Sequence, residues 1–216
     1  MNIVVSVLFS IVGLFVGFII LDISKRIINY KNGIYKISEN SFIYTKWFRI
    51  IILILNGTLW MITGLYSANL LTGLLIAVQI TIGLIIGFID ICIRIIPNEL
   101  VLTLLVLGII FQILNYGLYA LIVALLCMII MMMVFVSVAA FVGFGKVGAG
   151  DVKLAGVIGL ALGYPLIITA IYAMAIVLLI YISAGMATKK ISLATMFPLA
   201  PFLISGYVTA LISMFI

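Results

Sequence analysis

The stretch LLTGLLIAVQITIGLIIGFIDICI, residues 70–93, decides the fold. It is dominated by Leu, Ile and Gly, it is long enough to cross a hydrocarbon core of ~30 Å as a helix, and it carries one charge, Asp90. A carboxylate in or beside a bilayer is costly, so Asp90 is a functional-site candidate from the outset. Working outward, the same ruler marks further apolar runs near 3–22, 48–66, 99–115, 118–142, 152–163, 165–187 and 195–215. Hydrophobic residues fill 68% of the 216 positions and charged residues only 7%, too few charges to cover that apolar surface in a soluble globule. The expectation is an all-α fold, a polytopic membrane helical bundle with about eight transmembrane helices. A single domain is expected over 1–216, with a short basic cytoplasmic loop at 23–47 that is too small for a core of its own.

Charge placement sets the expected orientation. The net charge of +6 sits in short loops: Lys25, Arg26, Lys31, Lys36, Lys46 and Arg49 around the first, Arg94 in the second, Lys146 and Lys153 in the third, Lys189 and Lys190 in the last. The connections at Ser67-Ala68-Asn69, Asn115-Tyr116-Gly117 and Gly163-Tyr164-Pro165 carry no positive charge, so the basic loops and both conspicuous aspartates are expected on the cytoplasmic side, with the termini outside. The protein is therefore expected in the cell (cytoplasmic or inner) membrane, with lipid as its surroundings and no nucleic-acid partner. The first run lacks a basic n-region and an A-x-A-like cleavage site, so it reads as a retained helix. Histidine is absent, which excludes Ser-His-Asp and Cys-His nucleophiles and HExxH zinc sites. Cys92 and Cys127 stand far apart without a Cys-x-x-Cys partner and support neither a disulfide framework nor a zinc site.

Asp90 is followed by Arg94 and then by Ile96-Pro97-Asn98-Glu99, a helix stop and a helix start with Asn98 as the cap and Glu99 against the dipole. The bland alternative for Asp90 is a surface ion pair with Arg94. The second aspartate closes Gly148-Ala149-Gly150-Asp151, where the glycines permit close approach and unusual backbone angles and Asp151 opens a helix. Its bland alternative is a helix cap. Lys153, two residues on, either positions Asp151 or anchors the topology. Two carboxyl groups brought close share a proton, so one can polarise a water while the other donates to a carbonyl oxygen: peptide hydrolysis without a metal or a covalent intermediate. The helix dipole makes Asp151 the expected charged partner and Asp90 the protonated one, unless Arg94 pairs with Asp90. The run at 152–163 is short and rich in Gly and Ala, which marks an inner helix. Met128 and Met131-Met132-Met133 read as flexible packing rather than a metal site. Pro198 and Pro201 are expected to bend or unwind the last run, and Asp22 and Glu39 to be surface charges.

These elements resemble the type IV prepilin peptidases, G-x-G-D membrane aspartyl proteases related to archaeal preflagellin peptidases. The resemblance rests on Asp90 with Ile96-Pro97-Asn98-Glu99-Leu100, on Gly148-Ala149-Gly150-Asp151-Val152-Lys153-Leu154, and on Phe197-Pro198-Leu199-Ala200-Pro201-Phe202, in the family's order. Gly17 and Arg26 are faintly similar to the bacterial N-terminal segment. The resemblance implies catalytic roles for Asp90 and Asp151 and an active-site loop role for Gly148, Gly150, Lys153, Pro97 and Asn98. It also implies cleavage of the basic leader of prepilin-like or pseudopilin-like proteins at the cytoplasmic face, serving a type IV pilus or protein secretion. Many bacterial members also methylate the new N-terminus with S-adenosylmethionine and carry paired Cys-x-x-Cys motifs after the first helix. Residues 23–47 contain no cysteine, so neither methylation nor any cofactor is expected, and Lys146 stands where many members have a small residue. The competing readings are a proton-coupled transporter, whose internal repeat is not evident, and a non-catalytic assembly factor. The oligomeric state is left open.

Overall fold

The computed structural model describes residues 3–32, 45–142, 148–189 and 198–215. Lys36, Glu39, Lys146, Lys190 and Phe197 lie outside them. The described residues form seven helices in order: α1 (Ile3–Asn32), α2 (Lys46–Tyr66), α3 (Leu70–Ile93), α4 (Asn98–Val142), α5 (Ala149–Leu162), α6 (Leu166–Ala187) and α7 (Ala200–Ser213). No strand occurs among the described residues. The chain divides into two compact units, one over Met1–Ile95 and the other over Ile96–Met214.

In the first unit, glycines let α1 and α2 approach closely. A Cβ at Gly13 would meet Trp60, one at Gly17 would meet Leu53, and one at Gly64 would meet Phe9. Since the α2 partner number falls as the α1 number rises, the two helices are antiparallel. A buried polar chain then ties in α3. Trp60 Nε1 donates to Thr81 Oγ1 at 2.9 Å, Thr81 Oγ1 to Asn56 Oδ1 at 3.1 Å, and Asn56 Nδ2 to the Gly13 carbonyl at 2.7 Å. Buried polar groups of this kind are tolerated because each finds a partner. Asp22, expected as a surface charge, is partly exposed and takes Arg49 Nη2 on both carboxylate oxygens at 3.1 and 3.0 Å, with the guanidinium 4.1 Å above the Phe18 ring. The pair ties α1 to the start of α2. It accompanies the extension of α1 to Asn32, well into the expected 23–47 loop.

In the second unit, α4 breaks at Gly117, whose φ of 82° and ψ of 179° only glycine adopts readily. The break separates the two runs expected at 99–115 and 118–142. The first arm meets α5 in parallel, with Gly108 against Ala161, and the second meets it antiparallel, with Gly159 against Cys127 and Gly156 against Met132. Thus α5 lies between the arms of a hairpin, and every residue from Leu154 to Leu162 is buried. The inner-helix expectation holds, and Met128, Met131 and Met132 pack against α5 glycines as read. α6 and α7 pair through Gly206 against Ala170 and Tyr181 against Phe202 at 5.1 Å. Pro201 lies in the first turn of α7, where the missing N–H costs nothing, so it starts that helix rather than bending it.

Among the described residues five helices, α1 to α4 and α6, are long and apolar enough to cross a membrane, fewer than the eight spans expected from the sequence. α5 and α7, at 14 residues each, fall short of the ~20 that a bilayer requires, and the expected runs at 99–115 and 118–142 share α4. The result is a helical membrane bundle.

Candidate active site

Asp90 belongs to the last turn of α3. Everything from Ile85 to Asp90 on that helix is buried, and Asp90 itself is 4% exposed. Phe88 meets Phe48 of α2 edge-on at 5.5 Å, which fixes the rotation of this end of α3 within the first unit. The helix stops earlier than Pro97 would require: Arg94 takes a left-handed conformation with φ 53° as C-cap, its N–H on the Asp90 carbonyl at 2.8 Å. A non-glycine residue there is uncommon. Arg94 is exposed whereas Asp90 is buried.

The second aspartate sits in the second unit, at the third position of α5. It is therefore not the N-cap. That place belongs to Gly148, whose N–H donates to Asp151 Oδ2 at 3.0 Å. The glycine has no side chain to return the bond, so only one half of a capping box is built. Asp151 Oδ1 is buried and accepts no hydrogen bond from the described residues. Burial pushes the Asp151 carboxyl above its ordinary 3.8, and the Gly148 N–H pulls the other way with less effect. The helix start favours the charged carboxylate, and loss of water opposes it.

Gly148 and Gly150 are needed for room rather than for unusual angles. Gly148 has φ −73°, but a Cβ there would stand 3.1 Å from Asp151 Oδ2, and one at Gly150 would stand 3.1 Å from the Ile96 Cβ. Ile96 is the contact that the sequence did not flag; the signal was a bulky residue before Pro97 facing a glycine across the motif. Pro97 is buried, and Asn98 is the first residue of α4 rather than its cap, with Glu99 in the first turn as expected. The Asn98 side chain turns outward, and its Oδ1 accepts from Lys153 Nζ at 3.2 Å. So Ile96, Asn98, Gly150 and Lys153 form one contact between the starts of α4 and α5, and Lys153 is joined to Asn98 rather than to Asp151. Among the described residues no group of three or more His, Cys, Asp or Glu side chains could hold a metal ion.

An acidic side chain with one oxygen fixed by an amide and the other free can pass a proton or orient a water. Neither a curated protein nor a solved structure gives a match to this chain. The sequence pattern of the type IV leader peptidases, by contrast, matches residues 77–186, a span that takes in both aspartates and the contact between the starts of α4 and α5, and the chain belongs to that family.

Proposed function

We propose that this chain is a membrane aspartyl endopeptidase that removes the short basic leader from prepilin-like or pseudopilin-like proteins, with Asp90 and Asp151 as its acid and base. The observation that carries the reading is the Asp151 carboxyl, desolvated, held on Oδ2 by Gly148 and with no partner for Oδ1 among the described residues. One carboxylate takes a proton from a water as its oxygen attacks the scissile carbonyl, and the other gives a proton to that carbonyl oxygen. Collapse of the tetrahedral intermediate then returns a proton to the leaving amine. Because such groups titrate together, the apparent pKa values belong to the pair. Gly148, Gly150, Pro97, Asn98 and Lys153 shape the surroundings of Asp151. The charge asymmetry of the loops supports a multi-pass protein of the cytoplasmic membrane with cleavage on the cytoplasmic side.

Co-expression with a candidate substrate tests the reading: wild type shortens the substrate by its leader, while Asp90→Asn and Asp151→Asn insert in the membrane without doing so, and Asp22→Asn still cleaves. Cleavage at close to the wild-type rate by either active-site variant overturns it. No cofactor is assigned. Mass spectrometry of the matured substrate, from a host lacking other leader peptidases, is expected to find an unmethylated N-terminus.

A further inference from the structure

Gln112 lies on the first arm of α4 and is 2% exposed. Its Nε2 donates to the carbonyls of Leu160 at 3.2 Å and Ala161 at 3.1 Å. These are among the last four carbonyls of α5, which lack donors from their own helix, so Gln112 caps α5 from outside. Only the NH2 end of the amide can serve two carbonyls, which fixes its orientation. The Oε1 is then left without a hydrogen-bond partner among the described residues.

Gln112 also lines a cavity of about 250 Å³, together with Tyr116, Tyr119, Tyr164 and Leu166, and no charged side chain contributes to its wall. The cavity is remote from Asp151, which stands near the other end of α5, roughly 17 Å along the helix axis. Tyr116, Tyr119 and Tyr164 are 48%, 81% and 69% exposed and lie near the breaks between apolar helices. Tyrosines so placed mark the headgroup level of a bilayer.

We propose that this cavity binds the headgroup of an ammonium-bearing phospholipid of the phosphatidylethanolamine type. The Gln112 Oε1 accepts from the ammonium, the negative end of α5 favours its charge, and the tyrosine faces attract it. Leu166 is the first residue of α6, so the positive end of that helix meets the same cavity and suits the phosphate. The lack of lysine and arginine in the wall disfavours a headgroup that is only anionic. The site is independent of the peptidase reading.

Native mass spectrometry of the full chain in detergent, titrated with phosphatidylethanolamine, phosphatidylcholine and phosphatidylglycerol of the same acyl chains, tests the assignment. Phosphatidylethanolamine is expected to be retained about fivefold better than phosphatidylglycerol, with phosphatidylcholine between them because it keeps the cation and loses the donor. Ala120→Phe fills the cavity while leaving Gln112 and its two bonds in place, and should abolish the preference. Gln112→Leu should do the same where it folds. Equal retention of all three lipids, or a preference that survives Ala120→Phe, overturns the proposal. Free phosphoethanolamine binding as tightly as the lipid overturns the lipid assignment.

Discussion

Asp90 ends a helix and Asp151 begins one, and the two are held in place by different means. Asp90 is set by the register of α3, a helix buried around its position and keyed to α2 by the Phe48–Phe88 contact. Asp151 is held locally, by one amide of Gly148 and by glycines that leave room for it. A carboxylate fixed by register is disturbed only by repacking a unit, whereas one fixed by a cap can be disturbed by a single atom nearby. Substitutions at the two sites should therefore agree in their effect on chemistry and disagree in their effect on stability.

The largest effect is on chemistry and is shared. Asp90→Asn and Asp151→Asn should each lower leader cleavage by about a hundredfold to ten-thousandfold, the range for losing a general acid or base, with the double variant no worse than the poorer single one. Rates on purified protein measure this. Multiplicative losses would show that the two aspartates do not act as a unit.

Next is the packing that positions Asp151. A Cβ at Gly159 would stand 2.8 Å from the Cys127 carbonyl oxygen, which is backbone and cannot yield, whereas at Gly156 the first obstacle is the flexible Met132 side chain. Gly159→Ala should cost about 1–3 kcal/mol and Gly156→Ala clearly less. Thermal unfolding in detergent separates them. Equal losses would mean that α5 is held less tightly between the arms of α4 than its burial indicates.

Much of this second unit was legible in the sequence because small residues leave a compositional trace: the Gly- and Ala-rich run at 152–163 could only be an inner helix. The break between 99–115 and 118–142 was legible from Asn115-Tyr116-Gly117. Other features depend on contacts far apart in the chain and leave no local mark. The extension of α1 accompanies a pair between Asp22 and Arg49, and Asn98 faces Lys153 across 55 positions rather than capping its own helix. At Asp151 the dipole was readable and the burial was not. Gln112 did leave a signal, as an amide within an apolar run, but its partners at Leu160 and Ala161 could not be read.

A smaller effect follows from the desolvation of Asp151. A carboxyl whose folded value is raised above 3.8 stabilises the fold fully below 3.8, and that contribution is lost as pH rises through the raised value. Asp151→Asn removes the titration and keeps an oxygen for Gly148. It should melt at a higher temperature than wild type at pH 8, and the difference should vanish towards pH 3. A difference that grows on acidification would mean that the Gly148 bond dominates burial.

The smallest effect is at the exposed edge of the site. The Lys153–Asn98 bond is solvent-exposed, so Lys153→Gln or Asn98→Ala should change stability by less than about 1 kcal/mol. The same bond sets how the starts of α4 and α5 meet, two residues beyond Asp151, so cleavage should fall several-fold in each variant with KM little changed. If the pair acts as one pin, the double variant should match the singles and Asn98→Asp, which keeps an acceptor for Lys153, should retain activity. Losses that multiply in the double variant would show that the two residues act separately. Asp151 would then owe its position to Gly148 and the Ile96–Gly150 contact, leaving Lys153 as a charge outside the membrane.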